Sequence, residues 1–162
     1  MTDEDLSYTS AADLAALIRN RQLSPVEVVR STLARIERAQ PVLNAFITVC
    51  AEEALTASHE AESPVTRSDL LGPLHGIPFS VKDVVSTKGV RTTYGSRIFA
   101  EHVSTVDAAS VARLKAAGAI LIGKTTTPEF GQKASQTRRC SAVRATHGAR
   151  IVRVEARAGA PQ

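Results

Sequence analysis

The chain has 162 residues, 43% of them apolar and 22% charged, enough to bury one ordinary core and too few to argue for a second domain. No apolar run reaches the length of about 18 residues that a membrane span requires, and Met1-Thr2-Asp3-Glu4-Asp5 is acidic where a signal peptide is basic, so the expected compartment is the cytoplasm. The net charge of +4 suggests a polyanion partner until it is apportioned: residues 1–137 hold 14 Lys+Arg against 15 Asp+Glu, and residues 138–162 hold 6 Arg against 1 Glu.

Ser10-Ala11-Ala12-Asp13 and Ser24-Pro25-Val26-Glu27 both read as helix starts, each with a hydroxyl cap and an acid three residues on. Leu14, Leu17 and Ile18 recur on one face of the first helix. Val28, Val29, Leu33 and Ile36 do so on the second, which is expected to run to about Ala39 before Pro41 stops it. Residues 43–49 read as a strand by β-branched and aromatic content, and residues 51–62 as a helix ended by Ser63-Pro64. His59 stands beside Glu60 on that helix and reads as solvated surface, not as a metal ligand. Cys50 and Cys140 are the two cysteines, too few and too far apart for a disulfide framework or a metal cluster, and are expected to be free and reduced.

Leu71-Gly72-Pro73-Leu74-His75-Gly76-Ile77-Pro78-Phe79-Ser80-Val81-Lys82-Asp83 organises the chain: glycines and prolines turn it into a short apolar strand with Lys82 at the far end. Residues 86–104, rich in Thr, Gly and Ser, read as a long functional loop. Residues 107–117 follow as a helix closed by Gly118, then residues 119–123 as a buried strand of the parallel-sheet type. Gly118-Ala119-Ile120-Leu121-Ile122-Gly123-Lys124-Thr125 satisfies the P-loop pattern as a string. Its context does not: a helix precedes the first glycine, the intervening residues are themselves the strand, and Thr125-Thr126-Thr127-Pro128 opens a helix poorly.

Gly76-Ile77-Pro78-Phe79-Ser80-Val81-Lys82-Asp83, preceded by Gly72-Pro73-Leu74, resembles the opening motif of the amidase signature family, serine hydrolases with a Ser-cisSer-Lys triad. Asp107, the aliphatic helix, Gly118-Ala119, Gly123-Lys124-Thr125 and Glu129-Phe130-Gly131 resemble the family's later elements in order and spacing, with Thr126 where many members carry asparagine. Thr92-Thr93-Tyr94-Gly95-Ser96 sits where the family has a Thr-x-x-Gly-Ser stretch lining the approach to the triad, and reads equally well as an ordinary glycine turn. The resemblance implies an α/β fold, the N-terminal part of the family's α/β/α sandwich: the N-terminal helices plus part of a mixed sheet. It implies that Lys82 is the triad lysine, that the substrate is a small-molecule amide, and that neither metal nor organic cofactor takes part. A second reading within the family is the A subunit of glutamyl-tRNA(Gln) amidotransferase; a rival of another class is a non-catalytic remnant.

The resemblance runs from about Ala11 to Thr137 and stops before the family's Gly-Gly-Ser-Ser-Gly-Gly stretch, so both triad serines are missing. Overlapping codons offer a reason. Arg138-Arg139-Cys140 permits Pro-Leu, Cys140-Ser141-Ala142-Val143 permits Phe-Gly-Gly, and residues 144–148 permit Arg-Asn-Pro-Trp. Residues 152–159 permit Pro-Gly-Gly-Ser-Ser-Gly-Gly. The expectation is therefore an incomplete amidase domain over residues 1–137 and a basic, disordered, out-of-frame tail over 138–162, with no nucleic-acid or membrane partner, no activity of its own, and self-association through uncovered strands.

Overall fold

The computed structural model describes residues 2–67 and 69–132. Helices α1 (Asp3–Tyr8), α2 (Ala11–Arg19) and α3 (Pro25–Leu43) come first. Strand β1 (Phe46–Val49) leads into α4 (Ala51–Arg67), and β2 (Pro78–Lys82), α5 (Ala109–Ala116) and β3 (Ile120–Thr125) complete the order. The expected tail over 138–162 lies outside the described residues.

The caps are those the sequence announces. Ser10 accepts from Asp13 N–H, and Ser24 forms a capping box with Glu27 while Pro25 fills the first helical turn. The two prolines expected to act as stops do not end their helices. Pro41 lies inside α3, which continues to Leu43 because Gln40 holds the turn from within. Its side-chain amide donates to Phe46 O (2.6 Å) and accepts from Phe46 N (3.1 Å), while Asn44, in the left-handed region, closes the end on Gln40 O (2.8 Å). Pro64 likewise lies inside α4, which runs on to Arg67 with Val65 buried against α2 and α3, so tertiary burial outweighs the local breaker.

The strands form a mixed sheet in the order β1-β3-β2, with β3 antiparallel to β1 and parallel to β2. The parallel pair is joined through α5, which ends as expected on Gly118 (φ +88°). Gly123 admits β1 to close range, since a Cβ there would stand 2.3 Å from Thr48 O. β3 is central, so β1 and β2 each have an edge without a strand partner among the described residues.

Two apolar clusters hold the layers. Leu14, Ala15, Ile18, Leu23, Val28, Val65 and Ile77 join α2, α3 and α4 to the turn ahead of β2. Val29, Ala54, Ile120 and Ile122 seat α3 and α4 on β3. Adjacent residues of α3, Val28 and Val29, thus serve different clusters, and the helix forms the spine between them.

Candidate active site

Lys82 is the last residue of β2, at the strand end where the motif places it, and its side chain is exposed. The residue after it is the opposite: Asp83 is fully buried. Asp83 extends the pairing of β2 with β3 by one bond, its N–H donating to Thr125 O (3.0 Å), and its own carbonyl accepts from Tyr94 N–H (3.0 Å). Its carboxylate Oδ2 accepts from both the backbone N–H (3.1 Å) and the hydroxyl of Thr93.

Opposite Asp83 is Lys124, the largest fully buried side chain among the described residues. Its ammonium donates to Thr92 Oγ1 (2.9 Å), to Thr87 Oγ1 (3.2 Å) and to Val85 O, and stands 3.9 Å from Asp83 Oδ1. Oδ1 has no hydrogen bond among the described residues, so the ammonium is its counter-charge. Burial pushes the Asp83 carboxyl above its ordinary range, with the Thr93 hydroxyl and Lys124 pulling the other way. Burial also pulls the Lys124 ammonium below its ordinary value, opposed by Asp83. Each group is costly to bury alone, and each is the other's compensation.

The long loop over residues 86–104 is built around this pair. Thr87, Thr92, Thr93, Ser96 and Ser104 are buried, an inward-facing set of hydroxyls in a segment whose only regular structure is a 3₁₀ turn at Arg97–Phe99 and a bridge between Arg91 and Val103. Thr92 N–H donates to His102 O (2.9 Å) and Gly89 N–H to Ser104 O (2.9 Å), folding the loop back on itself. Asp107 ties its far end down, accepting from Lys88 N–H (2.7 Å) and the Lys115 ammonium (2.9 Å). The Thr92–Ser96 stretch is therefore neither a bare turn nor a simple wall: its threonines grip Lys124 and Asp83.

Tyr94 follows with a left-handed backbone (φ +54°), its carbonyl accepting from the N–H of Phe130 (2.7 Å), which is also left-handed (φ +49°). The Tyr94 ring meets Phe99 edge-on at 5.2 Å, and its hydroxyl lies 3.0 Å from Ser86 Oγ. The resemblance at Glu129-Phe130-Gly131 thus falls on a 3₁₀ turn fastened to the loop that carries Tyr94.

The P-loop pattern is excluded by geometry. Residues 120–125 are the strand itself, and the Lys124 ammonium is spent on protein acceptors inside the fold. His59 is exposed on α4, and no group of three metal-ligating side chains occurs among the described residues. No described helix is long and apolar enough to cross a membrane.

A model of the Amidase family matches residues 27–146. The chain belongs to that family. The match continues nine residues past Thr137, the end of the motif-by-motif resemblance. Among Amidase relatives, an acylamidase of Rhodococcus erythropolis is 35% identical over 131 residues, 81% of this chain and 28% of that protein. The A subunit of the glutamyl-tRNA(Gln) amidotransferase of Geotalea daltonii is 47% identical over 118 residues, 73% of this chain and 24% of that one. The crystal structure of a bacterial aryl acylamidase of the amidase signature family superposes with a TM-score of 0.73 at 28% identity, covering 76% of this chain and 26% of its own. The α/β architecture with a partial mixed sheet is that of the family's N-terminal part, and the chain spans about a quarter of the length of these relatives.

Asp83 and Lys124 are not among the residues the sequence marks for the site. A signal for them is present all the same: a lysine inside the most apolar strand, and the threonines at 87, 92 and 93 in the preceding loop, are unusual unless they meet.

Proposed function

We propose that the whole protein is a hydrolase of carbon–nitrogen amide bonds in which Lys82 is the general base. The observation that carries this is the placing of Lys82 in the Gly-x-Pro-x-x-x-Lys-Asp motif of an Amidase-family chain: exposed at the C-terminal end of a parallel strand, and followed by a residue anchored at backbone and side chain. In this reading the neutral amine of Lys82 takes a proton from a bridging serine, which takes one from the nucleophilic serine as that attacks the amide carbonyl; backbone N–H groups hold the oxyanion. The 162 residues contain no Gly-Gly-Ser-Ser-Gly-Gly stretch to supply the bridging serine. We infer that the reading frame changes just after Thr137, and that the chain as it stands turns over no amide because it has a base and no attacking group.

The test is a gene with the frame restored after codon 137. It should read Pro-Leu-Phe-Gly, Arg-Asn-Pro-Trp and Gly-Gly-Ser-Ser-Gly-Gly in that order, and its product should hydrolyse simple aliphatic or aromatic amides. Lys82→Arg should abolish turnover although it keeps the charge, because guanidinium does not give up its proton. Full turnover in Lys82→Arg, or amide hydrolysis by the 162-residue chain that Lys82→Ala removes, would overturn the reading.

A second reading is favoured by the higher identity to the A subunit of glutamyl-tRNA(Gln) amidotransferase, 47% against 35% for the acylamidase. Here the amide is that of glutamine and the product is ammonia for a partner protein. Glutamine as the sole amide hydrolysed by the restored protein would select it. For the 162-residue chain itself, the edges of β1 and β2 that have no strand partner among the described residues support self-association, and sedimentation as a single monomeric species would exclude it.

A further inference from the structure

Lys82 and Lys124 occupy neighbouring strands in nearly the same register, yet one is exposed and the other fully buried. Val81 is the register partner of Lys124, and Lys82 that of Thr125. Successive side chains on a strand point to opposite faces, so the two lysines stand on opposite sides of the sheet and do not share a site. What joins them is Asp83, next to Lys82 in the chain and paired with Lys124 across the strands.

We propose that Lys124 is a positioning residue for Lys82, acting through Asp83: it fixes the backbone on which Lys82 is carried and cancels the negative charge that directly follows it. This rests on the assignment of Lys82 as the base. The mechanical part is visible in the bonds. Every polar handle of Asp83 is held: N–H by Thr125, C=O by Tyr94, Oδ2 by Thr93, Oδ1 by the Lys124 charge. Lys124 in turn binds Val85, Thr87 and Thr92, all on the stretch of chain that leaves the turn after Lys82, so that stretch is held against the far side of β3. The ladder ends with the Asp83 N–H bond to Thr125 O, and here the buried ammonium supplies the next anchor.

The electrostatic part follows from what a base must do. Lys82 has to lose its proton, and an uncompensated carboxylate beside it would hold that proton on. Asp83 cannot be left out, because its side chain organises Thr93 and the loop. A buried cation on the far face of the sheet lets Asp83 keep that structural work without acting as an anion toward Lys82. Among the described residues, Arg91 from the loop also faces Asp83, and Cys50, between β1 and α4, faces Lys124.

The experiment uses the 162-residue chain and needs no catalysis. Competitive acetylation with acetic anhydride across a pH series, read by mass spectrometry at Lys82, reports when its amine becomes free. In Lys124→Met the midpoint of Lys82 labelling should move up by about half a pH unit or more, because Asp83 loses its counter-charge; in Asp83→Asn/Lys124→Met it should return to that of the parent. An unchanged midpoint in a folded Lys124→Met overturns the proposal. Should Lys124→Met lose the parent's circular dichroism, Thr92→Val removes one acceptor of the ammonium and keeps both charges. Hydrogen exchange at Tyr94 N–H, bonded to Asp83 O, should then quicken about tenfold with Ile120 N–H unchanged, and equal exchange at Tyr94 overturns it. Either failure would leave Lys82→Arg inactive in the restored protein, so it is distinguishable from failure of the catalytic assignment.

Discussion

The molecule has two interiors built by different chemistry. Between α2, α3 and α4 the buried side chains are aliphatic and interchangeable in kind: Leu14, Ile18, Leu23, Val28, Val65. Behind the loop that follows Lys82 they are Asp83, Thr87, Thr92, Thr93, Ser96, Ser104 and Lys124, all polar and most with a particular partner. An apolar interior tolerates relocation because contact is non-directional; a hydrogen-bonded one has essentially a single arrangement in which every group is satisfied. The difference explains how residues 84–104, with hardly any regular secondary structure, can still hold one arrangement around Asp83 and Lys124 while the helical layer does no more than support it.

The sharpest way to break the comparison is Lys124→Met. It leaves the Asp83 charge buried without its near counter-ion, with only the weaker influence of Arg91, and a loss of about 3–5 kcal/mol is expected in urea denaturation. The loss should depend on pH in a defined direction. The folded-state value of the Asp83 carboxyl is already raised above its usual 3.8, and removing Lys124 raises it further. A group so shifted stabilises the fold fully below its unfolded value and loses that contribution as pH rises through the folded one, so the variant should be closest to the parent near pH 4 and fall behind toward neutrality. Adding Asp83→Asn should recover most of the loss.

In the apolar interior, Ile18→Ala removes a fully buried side chain and should cost about 2–5 kcal/mol by the same measurement, with no comparable pH dependence. A strong pH dependence there would erase the distinction between the two interiors. Cys50 lies near their junction, and burial pushes its thiol up to about 11 from an ordinary value of 9.0. In a Cys140→Ser background, its alkylation by iodoacetamide at pH 8 should run about 100-fold slower than in the urea-unfolded chain, two pKa units being two decades of thiolate. The smallest effect belongs to the periphery of the helical layer. Ser24 caps α3 through Val26 N–H (3.0 Å) and donates to Glu62 (2.6 Å), and Ser24→Ala should cost about 1 kcal/mol in thermal or urea melts.

The two interiors are unequally legible in the sequence. Ile18, Val28 and Val29 can be read from spacing alone, because a helix repeats its buried face every three or four residues and the caps at Ser10 and Ser24 mark where the count begins. Pro41 and Pro64 mislead that same local rule, since what carries the chain past them, the Gln40 amide on Phe46 and the burial of Val65, lies outside the helical turn. The polar interior has no period to read. Lys124 meets Val85, Thr87 and Thr92 across 39, 37 and 32 residues, and nothing within a window of ordinary length tells a lysine that its partners are threonines from the previous loop. The place of Lys82 at the strand end is legible through the glycines and prolines ahead of it, and the reason its neighbour is aspartate only through the fold.

The strand order β1-β3-β2 also sets a schedule for the growing chain. β3, the last of the three to be made, is the one to which both of the others bond, so β1 and β2 leave the ribosome with no strand to pair with each other. The helices α2, α3 and α4 are complete by Arg67 and can gather their own apolar faces while the sheet waits. A nascent chain halted before Ile120 would therefore hold a helical layer over two unjoined strands, with Asp83 still lacking the lysine that makes its burial tolerable; the six residues Ile120–Thr125 close the sheet and the polar interior in one event.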